Sequence, residues 1–87
     1  MLDELVGQRV VVDLRGPFVS LGKLVRFDSE FLELRDADFH DLRDADTTRE
    51  NYVAMARATG INRNRKRVLI VRGEVVAIGR FDDVVDD

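Results

Sequence analysis

Two stretches of this chain carry residue types and spacings that invite chemistry. The first is acidic: Asp36, Asp38, His40, Asp41, Asp44 and Asp46 crowd between positions 36 and 46. Clustered carboxylates suit a hard divalent cation, but a calcium loop also needs a mid-loop glycine and a late glutamate, and the glycine is absent. His40 is the only histidine and there is no cysteine. Two-histidine metal motifs, thiolate metal sites and disulfides are thereby excluded. Without an obvious nucleophile, Ser-His-Asp chemistry is not expected either. A solvated polar loop, with His40 as an ordinary member, is the better reading. The second stretch is basic: Arg63, Arg65, Lys66 and Arg67, with Asn62 just before them and Asn64 among them. It either neutralises phosphates or is a connector whose side chains point to water and pair with the acidic residues 36–50. Nothing matches a phosphate loop, a nucleophile elbow or a dinucleotide fingerprint. The chain is expected to be no enzyme and to need no metal and no cofactor.

Length and composition set the frame for these residues. With 87 residues the chain makes one domain, residues 1–87. The 36% of charged residues is high, but the signs are mixed and 45% of the chain is hydrophobic, so global disorder is not expected. The start, Met1-Leu2-Asp3-Glu4-Leu5, lacks the basic and apolar regions of a signal peptide. No apolar run approaches the ~18 residues of a membrane span. The expectation is a soluble, cytoplasmic protein with no membrane partner. A net charge of −3 has the wrong sign for a partner bound mainly through its phosphates.

The elements that must position these residues are mostly strands. Residues 2–7 suit one amphipathic helical turn, with Leu2, Leu5 and Val6 on one side and Gly7 as a stop. Arg9–Arg15 alternates, Val10, Val12 and Leu14 facing one way and Val11 the other with Arg9 and Asp13. Gly16-Pro17 ends that strand. Phe18–Phe27 is a second, longer strand whose internal Gly22 marks a bend or a close backbone approach. Asp28-Ser29-Glu30 turns the chain into a third strand, Phe31–Ala37, with Leu32 and Leu34 inward. The pentapeptide Leu34-Arg35-Asp36-Ala37-Asp38 recurs as Leu42-Arg43-Asp44-Ala45-Asp46, too short for a structural repeat; the first copy reads as strand end, the second as loop. Thr47 and Glu50 fit a capping box for a helix over 48–59, with Tyr52, Met55, Ala56 and Thr59 on its inner face and Gly60 as its C-cap. The helix lies in an insert spanning about 38–65. Two apolar strands, Arg67–Arg72 and Val75–Gly79, then follow with only Gly73 and Glu74 between them, a hairpin signal. The acidic tail 82–87 is expected to fray.

This order of elements resembles the Sm/LSm family. Its first motif is matched by Val10, Val12, Leu14, Gly16, Gly22, Leu24, Phe27, Asp28, Leu32 and Leu34. Its second is matched by Ile70, Arg72, Gly73, Val76 and Ile78, and together they cover residues 2–38 and 66–80. The resemblance implies a mainly β fold, a five-stranded, strongly bent antiparallel Sm-like (SH3-like) barrel with a short N-terminal helix and a helical insert between strands 3 and 4. It also implies a homo-oligomeric ring of about five to seven subunits, the fourth strand of one subunit joining the fifth of the next through Val68, Leu69, Ile70, Val71, Val75, Val76, Ala77 and Ile78. The apolar run 68–71 gives this independent support, because an uncovered apolar edge invites aggregation. A helix 48–59 packed over those strands would be the other way to cover them.

The resemblance further implies a site for single-stranded RNA at Asp28, Arg72 and Gly73. The family's base-reading Asn is missing; Phe31 stands in its place, and an aromatic ring stacks on a base without reading it. The family's bacterial RNA-chaperone branch, with Tyr-Lys-His in the second motif, is not matched. The implied function is therefore a ring that binds single-stranded RNA weakly or with low specificity, with Arg63, Arg65, Lys66 and Arg67 as an auxiliary basic patch. The alternative is a structural or protein-interaction ring that has lost RNA readout.

Overall fold

The computed structural model describes residues 1–85. Its five strands form one antiparallel sheet: β1 (Arg9–Leu14), β2 (Phe18–Phe27), β3 (Phe31–Asp41), β4 (Arg65–Val71) and β5 (Val75–Arg80). The spatial order is β4-β3-β2-β1-β5, so β4 and β5 are its two edges. The sheet bends into a barrel around Val10, Val12, Leu14, Leu24, Leu32, Leu34, Ala37 and Ile70, all buried. A 3-10 turn at Leu2–Leu5 lies against this core through Leu2 and Leu5. Val6, expected with them, is exposed.

The bend has a definite cause. Leu21 faces Asp38 and Lys23 faces Arg35, so two steps along β2 match three along β3. The extra residue is Asp36, in the left-handed region at φ 50°, a β-bulge that curves the strand. Opposite it, a methyl group on Gly22 would lie 3.0 Å from Ala37 Cβ and 3.1 Å from both Ala37 Cα and the Arg35 carbonyl. Only glycine permits that approach. The bulge also resets the inward phase to Ala37, which is why β3 runs on to Asp41, past the expected end at Ala37. The stretch Asp38–Asp41 is strand, not solvated loop. The two Leu-Arg-Asp-Ala-Asp copies accordingly differ: the first holds the bulge, the second begins a short helix, α1 (Leu42–Ala45), capped by the Asp41 carboxylate on Arg43 N–H.

The main helix is α2 (Arg49–Thr59). Its cap is Thr48, whose hydroxyl accepts from Asn51 N–H at 3.1 Å, so the Thr47–Glu50 capping box does not form. The buried face of α2 is Val53 and Ala56, while Met55, expected inside, is 64% exposed. Residues Val53 and Ala56 pack with Val11, Val19, Leu21, Leu42 and Phe81 in a second core on the outer side of the sheet. Val11 is therefore covered, and β1 is buried on both faces. Arg49 fastens the helix start by donating to the carbonyls of Gly16 (2.9 Å) and Phe18 (3.3 Å) and pairing with Asp13. The tail docks as far as Val84, whose carbonyl accepts from Arg57; Asp86 and Asp87 lie outside the described residues. No helix among the described residues is long and apolar enough to cross a membrane.

The helix does not lie over β4 and β5. Leu69, Val71 and Val76 remain 47%, 51% and 68% exposed, and in the apolar run of β4 only Ile70 is fully buried. Nor do the two strands form a hairpin. A single 3-10 turn, Arg72–Glu74, sends the chain from one edge of the sheet to the other, tied by Arg72 N–H to the Glu30 carbonyl and Arg15 N–H to the Glu74 carbonyl.

Candidate nucleic-acid interface

The β2–β3 turn and the Arg72–Glu74 turn meet at one corner. Asp28 builds the first: its carboxylate accepts from the N–H groups of Glu30 and Phe31, both at 2.8 Å. Those bonds, Glu30's and then Phe31's, hold its carboxyl below the usual range, with Arg72 and Arg26 adding charge in the same direction. The Arg72 side chain donates to the Asp28 carbonyl and its guanidinium lies 5.8 Å from the Phe27 ring centre. The corner thus brings Asp28 and Arg72 into contact and presents an arginine beside an aromatic face. Gly73 is exposed; its φ is outside the left-handed region, and a side chain there would meet nothing within 4 Å. Neither conformation nor packing within the chain demands glycine at 73.

Phe31 is half-buried and faces Val71 across the β3–β4 pair. It lines a cavity of about 240 Å³ with Arg26, Phe27, Asp28, Glu33 and Arg67. The basic stretch 63–67 does not act as one group. Arg63 pairs with Asp36, Arg65 donates to the Asn64 carbonyl, Lys66 is exposed, and Arg67 turns to Glu33.

Sequence reasoning passed over Glu33 and its neighbours Arg26 and Arg35. The Glu33 side chain is 2% exposed and takes Arg26 Nε at 2.6 Å, Arg67 Nε at 3.1 Å and Arg35 Nε at 3.3 Å. The bonds from Arg26 and Arg67 bring its pKa down to about 2. The only signal in the sequence was Glu33 between two core leucines, an outward position by alternation; strand register is what surrounds it with arginines.

The acidic stretch resolves into separate structural tasks. Asp38 is buried and accepts from the Tyr52 hydroxyl and the Asn64 amide. Burial, and then this bond, push the Tyr52 phenol up. His40 stacks on Tyr52 with ring centres 4.4 Å apart, so it belongs to the α2–β3 contact. Among the described residues no three His, Cys, Asp or Glu side chains converge as a metal site would require.

No protein-family model and no curated protein matches the sequence. Among solved structures, the chain is similar to the Sm protein of Pyrococcus abyssi determined in complex with a uridine heptamer. The TM-score is 0.62 over 91% of this chain and 90% of that one, at 18% identity. The bent five-stranded sheet, its N-terminal 3-10 turn and the helix between β3 and β4 are an Sm-like fold.

Proposed function

We propose that this chain assembles into a closed ring and holds single-stranded RNA, weakly or with low base specificity, at the Asp28–Arg72–Gly73 corner. The observation that carries the reading is the pair of open edges. Among the described residues strand β4 bonds only to β3 and β5 only to β1, and Leu69, Val71 and Val76 stand exposed along them. Unpaired apolar edges are aggregation sites unless something completes them, and cyclic pairing of β4 with a neighbour's β5 completes every edge at once. The eight residues 68–71 and 75–78 are the contact in this reading. The solved neighbour's uridine heptamer supports RNA as the ligand. Phe31 offers a stacking surface but no amide to select uracil, which supports low specificity.

One observation favours a second reading, a protein-interaction ring without RNA readout: no side-chain amide stands in the turn Asp28–Phe31. Native mass spectrometry tests assembly; a single discrete ring is expected, and a clean monomer at micromolar concentration refutes it. Titration of labelled oligo-uridine and oligo-adenosine, with Arg72→Ala beside the wild type, tests the ligand. Similar weak affinities that fall in the variant support RNA binding. No binding at low salt, or binding untouched by the substitution, favours the protein-interaction ring.

A further inference from the structure

Register places four cations in one row, beginning with Arg9 of β1, which faces Lys23 and is itself paired with Asp82. Lys23 of β2 faces Arg35 of β3, and Arg35 faces Arg67 of β4; all four are exposed. Like charges directly opposite one another destabilise a sheet, so such a row calls for a counter-charge. Glu33, facing Arg26 in the adjacent row, supplies only one. With Arg9 answered by Asp82, the four cations Lys23, Arg26, Arg35 and Arg67 less Glu33 leave three positive charges on this face, and Lys23 has no ion pair among the described residues.

The manner of pairing matters as much as the count. Arg26 and Arg35 meet Glu33 through Nε alone, their side chains remaining 72% and 58% exposed. Their terminal nitrogens are left to the solvent, and a guanidinium fork matches a phosphate in two-point geometry. Glu33 is then a positioning residue: it fixes the arginines at their roots and leaves their tips free. The cavity that Arg26 and Arg67 share with Phe27, Asp28 and Phe31 joins this face to the Asp28–Arg72 corner. Phe31 lies between, an aromatic surface flanked by cations, which suits nucleotides better than an acidic peptide.

The geometry points to the outer face of β2–β3–β4 as a track for the phosphate backbone of a single strand leaving the corner, with Lys23, Arg26 and Arg35 on the phosphates. This rests on the RNA reading of the corner and extends it with a path.

The test titrates the full chain with labelled oligo-uridine and with an abasic phosphodiester strand of equal length, across a salt series. Lys23→Gln/Arg35→Gln is compared with Arg72→Ala. The double variant is expected to weaken both strands about tenfold and to flatten the salt dependence by about 1.4, roughly 0.7 for each phosphate no longer neutralised. Arg72→Ala is expected to weaken the uridine strand more than the abasic one. Unchanged affinity and salt slope in the double variant, with uridine binding lost in Arg72→Ala, overturn the track and leave the corner reading standing. Abasic binding that depends on Lys23 and Arg35 but not Arg72, with uridine binding also indifferent to Arg72, removes the corner and keeps the track. Poly-glutamate competing as well as the abasic strand overturns the assignment to phosphate. Both substituted side chains are exposed and Lys23 faces Arg35, so a melting curve unchanged or shifted upward is expected; Lys23→Gln alone serves if the double variant melts early.

Discussion

Substituting alanine for Gly73 tests whether this glycine serves the fold or something outside it. The residue sits in a 3-10 turn with φ outside the left-handed region, and an added methyl group meets nothing within 4 Å. Alanine is therefore compatible with the native backbone, and its main effect is to restrict the unfolded chain, a gain of roughly 0.4–1 kcal/mol. For a domain of this size that raises Tm by about 2–8 °C. Gly22→Ala is the control with the opposite sign. Its methyl would press on Ala37 and the Arg35 carbonyl at 3.0–3.1 Å, and these include backbone atoms that yield only if β2 and β3 part. Overpacking of about 1–3 kcal/mol outweighs the roughly 0.5–1 kcal/mol that alanine gains over glycine in a strand. A net loss of up to about 2.5 kcal/mol is expected, which lowers Tm by up to about 20 °C. Differential scanning calorimetry reads both. The reasoning about Gly73 fails if its variant melts below wild type. If the variant melts higher and both ring mass and oligo-uridine affinity are unchanged, Gly73 is no part of an interface. A higher Tm with the ring intact and weaker RNA binding is the result expected.

Three further outcomes follow from the packing. Glu33 has a folded pKa of about 2 against 4.5 for a free glutamate. Its stabilisation is complete above about pH 4.5 and disappears as pH falls through about 2; Glu33→Gln is expected to be less stable at pH 7 and to flatten that acid limb in a Tm series. Thr48→Ala is expected to cost about 0.5–2 kcal/mol through loss of the cap on Asn51 N–H, whereas Thr47→Ala stays within about 0.5 kcal/mol; urea unfolding separates them. Ser20 is fully buried and its hydroxyl has no partner among the described residues, so Ser20→Ala is expected to leave stability unchanged or raise it by up to about 1 kcal/mol, a sign that chemical denaturation reads directly.

Much of the barrel was legible because alternation is a local property. Val10, Val12 and Leu14, or Leu32 and Leu34, point inward for reasons their own strands contain, and Gly22 announced its close approach. The misreadings share a different cause. The third strand looked finished at Ala37 because the bulge at Asp36 breaks the very alternation by which strands are found, so the far end of β3, Asp38–Asp41, was missed. Val11 looked solvated because the helix that covers it comes some 40 residues later in the chain. The two apolar runs at 68–71 and 75–78 looked like a hairpin because nearness in sequence suggests pairing, yet the turn between them spans the barrel instead. At the candidate site, Asp28 and Arg72 were found by motif; Glu33 was not, since its meaning lies in arginines brought from β2 and β4 by register.

The same distinction changes how the net charge of −3 bears on partners. A sum over the chain assumes that every carboxylate faces the ligand. Several do not: Asp38 is buried under Tyr52 and Asn64, Asp41 caps α1, and Asp13 is occupied by Arg49. The exposed cations Lys23, Arg26, Arg35 and Arg67 are gathered on one side of β2–β3–β4 instead. The molecule extends 32 × 23 × 22 Å, and at physiological ionic strength charges are screened over about 8 Å. A strand lying on that face meets the local surplus of positive charge, where Asp82 of the tail is already paired with Arg9 beside Lys23. In a ring that face would recur once per subunit, so the potential along a bound strand would be set by this row and not by the total.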